Sequence, residues 1–324
     1  MHDIDWIFFL DMFTRRSFAL ALVAVATPAW AKPKPMRIVV PYPAGGPLDA
    51  CSRLVAEKLK TKLGRIIVEN RPGAAGARGM LEIKNAQPNG QSLVVGALAT
   101  LVVNPLMFDD LPYRPDDFET VCLLSDTPNV LIMTPETMKK WGIDSAEDFI
   151  DFVKSHPNQL NCASGGTGSA GHITNALLNT RGLKTVHVPY AGAMAAQLSL
   201  LSAETDIMFD NFASARPAIE DGRVKVLAQT SREADKRISA PTLSSLGIDC
   251  DISTWFGLMA PKKTPIEIRE KLFKEIYSAL ESTDTMHTFE RLSGGAKLLG
   301  PQEFNEWIQN EQVKYRSFLS ALKI

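Results

Sequence analysis

Two glycine-rich segments are the places where this sequence could bind a ligand through its backbone. The first runs from Val40 to Asp49 (VPYPAGGPLD) and the second from Asn161 to His172 (NCASGGTGSAGH). In each, a β-branched run ends, glycines let the backbone turn tightly and approach a ligand, and a helical pattern begins. The free N–H groups and the positive dipole end of that helix can hold a carboxylate or a phosphate. Neither segment contains Lys or Arg, so the sequence predicts an anion site built from backbone dipoles.

Side chains in these segments are candidates for direct contact with the ligand. Asp49 lies in the first turn of its helix, where it either caps N–H groups or reaches the ligand. Thr167 lies inside the second loop, and Ser169 at the following helix start either caps that helix or touches the ligand. His172 fits a hydrogen-bonded structural histidine best. The candidates from the two segments are Tyr42, Ala44, Gly45, Gly46, Leu48, Asp49, Ser164, Gly166, Thr167, Ser169 and His172.

Two further candidates follow from the ends of predicted strands. Asp210 ends an apolar run, and Thr100 follows the run Ser92–Ala97. The carboxyl ends of parallel strands face the ligand crevice in α/β sheets. We therefore expect both residues to lie at the site.

An enzyme that uses a dinucleotide is an alternative, because residues 166–171 spell G-x-G-x-x-G. That fingerprint needs an acidic residue about 20 positions further on, at the end of the next strand. The next strand here ends in Val188-Pro189-Tyr190-Ala191, without a carboxylate. The pattern therefore disfavours an oxidoreductase.

A serine hydrolase would need a nucleophile, a base and an acid, for which Ser169, His172 and Asp210 are the available residues. Thr167 stands where the G-x-S-x-G elbow requires glycine, and Ser169 and His172 are three residues apart on one helix face. There is also no H-E-x-x-H and no Cys/His spacing typical of a metal site. The sequence predicts no catalytic residue, no metal and no cofactor.

The elements that would position these loops alternate between strand and helix. Strand and helix in succession predict an α/β fold of mostly parallel sheets flanked by helices. Helices are predicted from Leu48 to Leu63, from Pro265 to Leu280 and from Pro301 to Leu322. The predicted strands are Met36–Pro41, Arg65–Glu69, Ser92–Ala97, Val121–Leu124, Asn129–Thr134, Leu160–Ala163, Thr185–Val188, Asp206–Phe209, Val224–Gln229 and Trp255–Met259.

Two long extended segments indicate that the chain crosses twice between two lobes. The first follows the Pro- and Asp-rich loop near residues 104–115 and is interrupted by Ser125–Pro128. The second is Ser253–Pro261. Two crossings are what a hinged clamp requires. The predicted lobes are residues 32–127 with 254–324, covered by the closing helices, and residues 128–253.

The first 31 residues have the composition of an export signal. Arg15-Arg16 precede the apolar run from Phe18 to Ala26, which is too short to span a bilayer, and Ala29-Trp30-Ala31 fits a signal peptidase site. Residues 14–19 (TRRSFA) resemble the twin-arginine motif. Residues 1–11 are acidic and aromatic, which suits no export signal. We expect translation to begin at Met12 and the mature chain to begin at Lys32.

Composition narrows the class of partner. Lys and Arg total 35 and Asp and Glu total 36, and no basic run could follow phosphates, so a nucleic acid or an anionic membrane surface is not expected. Of the four cysteines, Cys51, Cys122 and Cys162 lie in apolar patterns and Cys250 in a polar segment. In an oxidising compartment, a disulfide between two of these cysteines is an alternative to four free thiols.

A series of motifs, in order from about Arg37 to the C-terminus, resembles one family of receptors. The motifs are Val40–Asp49, Val68–Gly76, Pro88–Gly90, Asn104-Pro105, Leu111–Tyr113, Pro128–Leu131, Ser164–His172, Val186–Tyr190, Met208–Asn211, Leu227-Ala228 and Trp255–Leu258. In these motifs the chain is similar to the substrate-binding receptors of tripartite tricarboxylate transporters, the Bug family of proteobacteria.

The resemblance implies a periplasmic solute-binding protein of a Gram-negative bacterium, with the two-lobe fold of such proteins. Its two glycine loops would hold a small organic carboxylate through backbone N–H groups and ordered water. A monomer is expected that delivers its ligand to the membrane subunits of a transporter. Delivery of a signal to a sensor kinase is the alternative.

Departures from the family pattern bear on the ligand. Pro47 and Leu48 stand where the family often has glycine and threonine, and Ala191 and Ala193 replace the usual lysine and serine after Pro189-Tyr190. A hydroxyl and a cation are thereby lost, and burying several unpaired charges would be costly. We expect a mono- or dicarboxylate with apolar or aromatic bulk to bind more tightly than citrate.

Overall fold

A computed structural model of the protein describes residues 35–322. The predicted export signal, the Met12 start and the cleavage site before Lys32 lie outside these residues. The described residues belong to one compact unit.

Ten strands in the described range form one sheet in the order β2-β1-β3-β9-β4-β7-β5-β6, with β8 and β10 also paired to β4. Most bounds agree with the predicted ones to within one or two residues. The strands are β1 Met36–Val40, β2 Ile66–Asn70, β3 Ser92–Ala97, β4 Phe118–Met133, β5 Asn161–Ser164, β6 Val186–Pro189, β7 Ile207–Asn211, β8 Lys225–Gln229, β9 Ser253–Pro261 and β10 Ala296–Leu299.

Helices follow most strands and cover the sheet. A π-helical turn at Ala99–Val103 follows β3. The helices are α1 Pro47–Leu63, α2 Ala77–Lys84, α3 Asn104–Met107, α4 Pro135–Trp141, α5 Ala146–Ser155, α6 Ala170–Thr180, α7 Ala193–Leu201, α8 Phe212–Glu220, α9 Ile266–Leu280, α10 Thr283–Ser293 and α11 Pro301–Leu322. None of them is long and apolar enough to cross a membrane.

The sheet is mixed rather than mostly parallel. β1, β2 and β3 pair in parallel, as do β5, β6 and β7. Between these groups, β9 pairs antiparallel with β3 and β4, and β4 pairs antiparallel with β7. The cause is the double crossing, because a strand that leaves the first group and a strand that returns to it run in opposite directions.

These pairings divide the molecule into two halves. The first half consists of β1–β3, β9, β10 and the start of β4, and the second half consists of β5–β8 and the end of β4. Residues 118–128 of β4 pair with β9, and residues 129–133 pair with β7 and β8. β4 is therefore continuous between the halves.

The predicted interruption of β4 at Ser125–Pro128 is wrong. Ser125 donates its hydroxyl hydrogen to the carbonyl of Gly295 at 2.7 Å, and Thr127 donates to the carbonyl of Ser293 at 2.8 Å. The sequence pattern read these polar residues as a loop. They are buried in a strand because carbonyls after α10 accept their hydrogen bonds.

The two long C-terminal helices pack against elements of the first half. Leu272 and Ile276 of α9 share a core with Val55 and Leu59 of α1. On α11, Phe304 packs edge-on against Trp255 of β9, whose indole N–H donates to Glu311 at 2.8 Å. The C-terminal helices thus complete the core of the first half.

All four cysteines are free and buried. Burial raises the pKa of each thiol. Cys250 lies in a polar segment of the sequence, but its side chain is packed into the core with Ile248 and Ile252. Its polar neighbours in sequence, Asp249 and Asp251, point to Arg232 and Lys314 at the surface.

Candidate ligand-binding site

A cavity of about 150 Å³ lies between the two halves. A cavity of that size in a protein core can hold a molecule such as benzene, so this one suits a small organic molecule. Its walls come from the β1–α1 loop, the β5–α6 loop, the β6–α7 loop and the end of β7. A second cavity of about 340 Å³ adjoins it along Tyr42, Gly165 and Gly192.

The β1–α1 loop, residues 41–46, is held by the first turn of α1. Gly45 has a φ of +92°, a conformation that glycine adopts without strain. Its N–H donates to the carboxylate of Asp49 at 3.0 Å, and Asn70 donates to the same carboxylate at 3.0 Å. Arg53 pairs with it at 2.9 Å. Asp49 therefore fixes the loop, and residues 46–49 at the start of α1 line the cavity.

The protonation state of Asp49 follows from these partners. Burial by itself would raise its pKa, but the hydrogen bonds from Arg53, Gly45 and Asn70 outweigh burial and leave the pKa below its ordinary value. The carboxylate is therefore ionised, and Arg53 balances its charge.

The β5–α6 loop, residues 165–169, is built in the same way. Gly166 and Gly168 have φ values of +118° and +80°. Ser169 caps α6, its hydroxyl oxygen accepting the N–H of His172 at 3.3 Å, and the ring Nδ1 of His172 accepts the N–H of Gly168 at 3.1 Å. The histidine thus fixes the loop from behind.

A pair of histidines supports this loop. The rings of His172 and His187 lie 4.3 Å apart, and His187 Nε2 is 2.6 Å from the hydroxyl of Ser164. Burial lowers the pKa of His172. Burial and the neighbouring His172 lower the pKa of His187 to about 4. Both rings are neutral near pH 7 and add no positive charge to the site.

A third helix begins at the cavity. The β6–α7 loop ends at Gly192, the N-cap of α7, whose φ is +109°. Ala191, Gly192, Ala193 and Met194 all line the cavity. The starts of α1, α6 and α7 therefore converge on one small volume, and their dipoles favour a negative charge there.

Two polar residues at the end of β7 form another part of the wall. The Asp210 side chain is buried and accepts hydrogen bonds from the N–H of Asn211 at 2.8 Å and from the side-chain amide of Gln197. Burial raises the pKa of Asp210 to about 7. Asn211 caps α8 through its oxygen, and its Nδ2 is buried without a partner among the described residues.

The remaining wall is mostly apolar, and no Lys, Arg or His of the described chain lines it. The polar atoms come from Tyr42, Asn129, Ser214 and Thr254 besides the residues above. Burial raises the pKa of Tyr42 to about 12, so its hydroxyl is neutral. The apolar lining residues include Pro43, Ala44, Leu48, Ala97, Leu98, Ala99, Met194 and Phe209.

The two halves touch at the cavity rim. A Cβ at Gly192 would lie 3.2 Å from Cγ of Pro43, and Gly168 packs so closely against Asn104 that no Cβ fits. Pro43 and Asn104 belong to the first half, and both glycines belong to the second. The structure is therefore closed around the cavity.

A comparison with protein families identifies the family of this chain. The family described as tripartite tricarboxylate transporter family receptor matches residues 51–324. The chain is a member of that family. This membership confirms the resemblance found in the sequence, and the family consists of solute-binding receptors, not enzymes.

Individual relatives of this receptor support its assignment to the family. It is 28% identical to BugT of Bordetella pertussis over 90% of its own length and 91% of that protein. An R. palustris protein solved with adipate is 25% identical, with a TM-score of 0.83 over 90% of this chain and 99% of that one. MatC from Rhodopseudomonas palustris, solved with bound malate, is 30% identical, with a TM-score of 0.79 over 88% and 98%. The α/β periplasmic-binding-protein fold is confirmed.

The structure brings together part of the predicted site of the receptor. Tyr42, Ala44, Gly46, Leu48, Asp49, Ser169 and Asp210 line the cavity, while Gly166 and Thr167 line the adjoining one. Gly45 lies in the β1–α1 loop but lines neither cavity, and its N–H donates to Asp49. Ser164 and His172 lie behind the β5–α6 loop, where they bond to its backbone, and Ser164 also bonds to His187.

Thr100 does not line either cavity. Its side chain is fully buried, and its hydroxyl accepts the N–H of Ala97 at 3.1 Å. The end of β3 does lie at the cavity, which Ala97, Leu98 and Ala99 line. The prediction that Thr100 lies there is wrong, because the π-helical turn places its side chain in the interior.

Sequence reasoning missed the β6–α7 loop and the crossing strands as parts of the site. Val186–Gly192 shows the same order of strand, glycine and helix as the other two loops, so that signal was available. Asn129 and Thr254, which lie on β4 and β9 and bond to each other at 2.7 Å, carried no comparable signal.

Proposed function

We propose that this protein is an exported receptor that captures one small organic carboxylate between its two halves and delivers it to the membrane subunits of a tripartite tricarboxylate-type transporter. The carboxylate is held by N–H groups of the β1–α1 and β5–α6 loops, with the α7 start as a third donor set. Tyr42, Leu48 and Asp210 contact the rest of the ligand.

The observation that carries this proposal is the convergence of three helix N-termini on a cavity lined by no basic side chain. Aligned backbone dipoles can hold one negative charge. They do not compensate three charges in an apolar cavity, since each unpaired buried charge is costly. A mono- or dicarboxylate with apolar bulk therefore binds more tightly than citrate. The malate and adipate in two relatives are consistent with this size and class.

The proposed function also sets how the molecule moves. Residues 32–127 with 254–324 form one lobe and residues 128–253 the other, and the hinge lies where β4 and β9 run between them. The ligand enters an open form, and closure brings Pro43 to Gly192. Residues 1–31 direct export and are removed.

A thermal-shift screen of organic acids tests the ligand class. A ligand at about 100 times its Kd adds roughly 2.7 kcal/mol to the free energy of unfolding. We expect benzoate-like or C4–C6 carboxylates to raise Tm, and the matched neutral amide benzamide to have no effect. Tighter binding of citrate than of every smaller acid would overturn the proposed ligand class.

Delivery is tested separately in proteoliposomes that contain the membrane subunits of a tripartite tricarboxylate-type transporter. Uptake of the labelled acid should require the receptor. Ligand binding without receptor-dependent uptake would contradict the transport role and leave the binding role intact.

A further inference from the structure

Of the two carboxyl groups that line the cavity within residues 35–322, Asp210 is the one without a neighbouring cation. The other, Asp49, is paired with Arg53. The groups bonded to Asp210 are the side-chain amide of Gln197 on α7, the Ser214 hydroxyl on α8 and the Asn211 backbone, and none of them is charged. Its neighbours on β4 are Val130 and Asn129, which do not titrate. Among the described residues at the cavity, only Tyr42 titrates besides the two carboxyls.

The hydrogen bonds at Asp210 show which ligand groups it can accept. Each oxygen accepts one N–H, and the Ser214 hydroxyl makes a third hydrogen bond to the carboxylate. A carboxylate has about four lone-pair sites, so one remains for a further donor. Beside it, Asn211 Nδ2 is a buried donor without a partner. A hydroxyl, an amide or an ammonium group on the ligand can donate to Asp210, and an amide or hydroxyl oxygen can accept from Asn211.

We infer that Asp210 is a specificity-determining residue, which selects carboxylates that carry a hydrogen-bond donor at their other end over those that carry a second ionised carboxylate. This inference rests on the proposed function, because it assumes that the first carboxylate is bound at the helix N-termini. A donor group on the ligand gives Asp210 a further hydrogen bond, and that bond offsets the cost of removing the donor from water. A second carboxylate meets a like charge in a buried wall and binds only when the pair takes up one proton.

The pH dependence follows with a defined sign. Burial raises the pKa of Asp210 to about 7, so above that pH its carboxylate is ionised in the free receptor. Binding of a second carboxylate then takes up a proton, and its affinity falls by about tenfold for each pH unit above about pH 7. An amide in place of that carboxylate takes up none, and its affinity stays constant.

Isosteric ligand pairs provide the test. Adipate and adipamate differ only in a terminal carboxylate or amide, as do succinate and succinamate. Calorimetry at about pH 8, in buffers of different ionisation enthalpy, measures both Kd and proton uptake. We expect the wild type to bind the amide of at least one pair about tenfold or more tightly than the diacid, with uptake of one proton for the diacid only.

Asp210→Asn should reduce this preference to within a few-fold and abolish proton uptake. Asp206→Asn is the matched control, since Asp206 is also buried next to β7 but bonds to Trp141 and the Asn161 N–H, away from the cavity. It should leave the preference unchanged. If Asp210→Asn fails to fold, proton uptake by the wild type still decides.

The outcomes separate the two proposals. Equal affinity within each pair and no proton uptake by the wild type would overturn the role of Asp210 while the carboxylate receptor stands. Binding of none of the four probes, and of no other organic acid in the thermal-shift screen, would overturn both.

Discussion

Two residues at the cavity, Gly46 and Leu48, are notable for the side-chain groups that they lack. Gly46 caps α1 without a side chain, with a φ of −82° that any residue can adopt. Leu48 takes the place of a hydroxyl in the family pattern. At both positions the size or polarity of one side chain sets access to the backbone N–H groups, so both can be tested without disturbing the core.

Gly46→Val should abolish binding while leaving stability unchanged. A Cβ at this position would meet no atom within 4 Å, so the added side chain occupies the mouth of the cavity and blocks approach to the backbone. Gly46→Ala should have a smaller effect. Calorimetry for binding and thermal unfolding for stability check both, and normal binding by Gly46→Val would contradict a site at this loop.

Gly166→Val is a poorer test than its sequence suggests. Its φ of +118° is strained for valine, and its Cβ would lie 3.1 Å from the Tyr190 carbonyl. A loss of binding by this variant would therefore be accompanied by a lower Tm, so it does not isolate the effect on the ligand.

Leu48→Thr should shift preference toward hydroxylated acids. Leu48 is half-buried in the cavity wall, so an aromatic acid loses about 1.5 kcal/mol, near the low end for a leucine side chain. That is roughly a tenfold increase in Kd. Leu54→Thr, on the same helix but outside the cavity, is the control. Competition titrations of benzoate against malate measure the shift, and equal changes in both variants would rule out a contact with Leu48.

At the scale of elements, each glycine loop is held by side chains from behind. Asp49 holds the β1–α1 loop from the first turn of α1, and His172 holds the β5–α6 loop from the first turn of α6. This arrangement fixes the loop backbone before the ligand arrives, which lowers the entropy lost on binding.

The histidine pair makes the second loop sensitive to acid. In the folded state His187 has a pKa of about 4, whereas its ordinary value is 6.5. The unfolded chain therefore binds protons that the folded chain does not, and the stabilisation present above pH 6.5 is lost as the pH falls toward about 4. Urea unfolding measures the free energy of unfolding at each pH. In His187→Gln it should depend less on pH between about 4 and 6.5 than in the wild type. His156→Gln, at the surface, is the control. The same change in the free energy of unfolding with pH in all three proteins would contradict a contribution from His187.

At the scale of the whole molecule, the contact of Pro43 with Gly192 and of Asn104 with Gly168 identifies a closed form. β4 runs from the first half into the second, and β9 begins where the chain returns to the first half. Small changes in several residues at these two places can absorb a closing rotation. The cavity between the halves is partly open to solvent, and on the proposed function its walls draw together around the ligand.

Small-angle scattering should therefore show a smaller radius of gyration with a bound carboxylate than without one. Gly46→Val should give the same radius with and without the acid, because it cannot bind. An unchanged radius for the wild type at saturating ligand would show that the halves do not move.

The sequence by itself determined the α/β class, the family and the two loops first recognised, because these depend on local patterns. Strand, glycine and helix follow one another within a few residues at Gly46 and Gly166, and the apolar period of α1 predicts its buried face. One prediction from a local pattern was wrong, the interruption of β4 at Ser125–Pro128. The hydroxyls there are satisfied by carbonyls that are distant in the sequence, which a local pattern does not show.

Only the tertiary structure decided which atoms meet. That Asn129 and Thr254 line the cavity depends on the register between β4 and β9, which are more than a hundred residues apart in the chain. That Thr100 faces inward depends on one π-helical turn, and that Asp210 has no cation depends on what α7 and α8 place around it. Register, rotation and burial arise from packing over the whole molecule, and no local pattern encodes them.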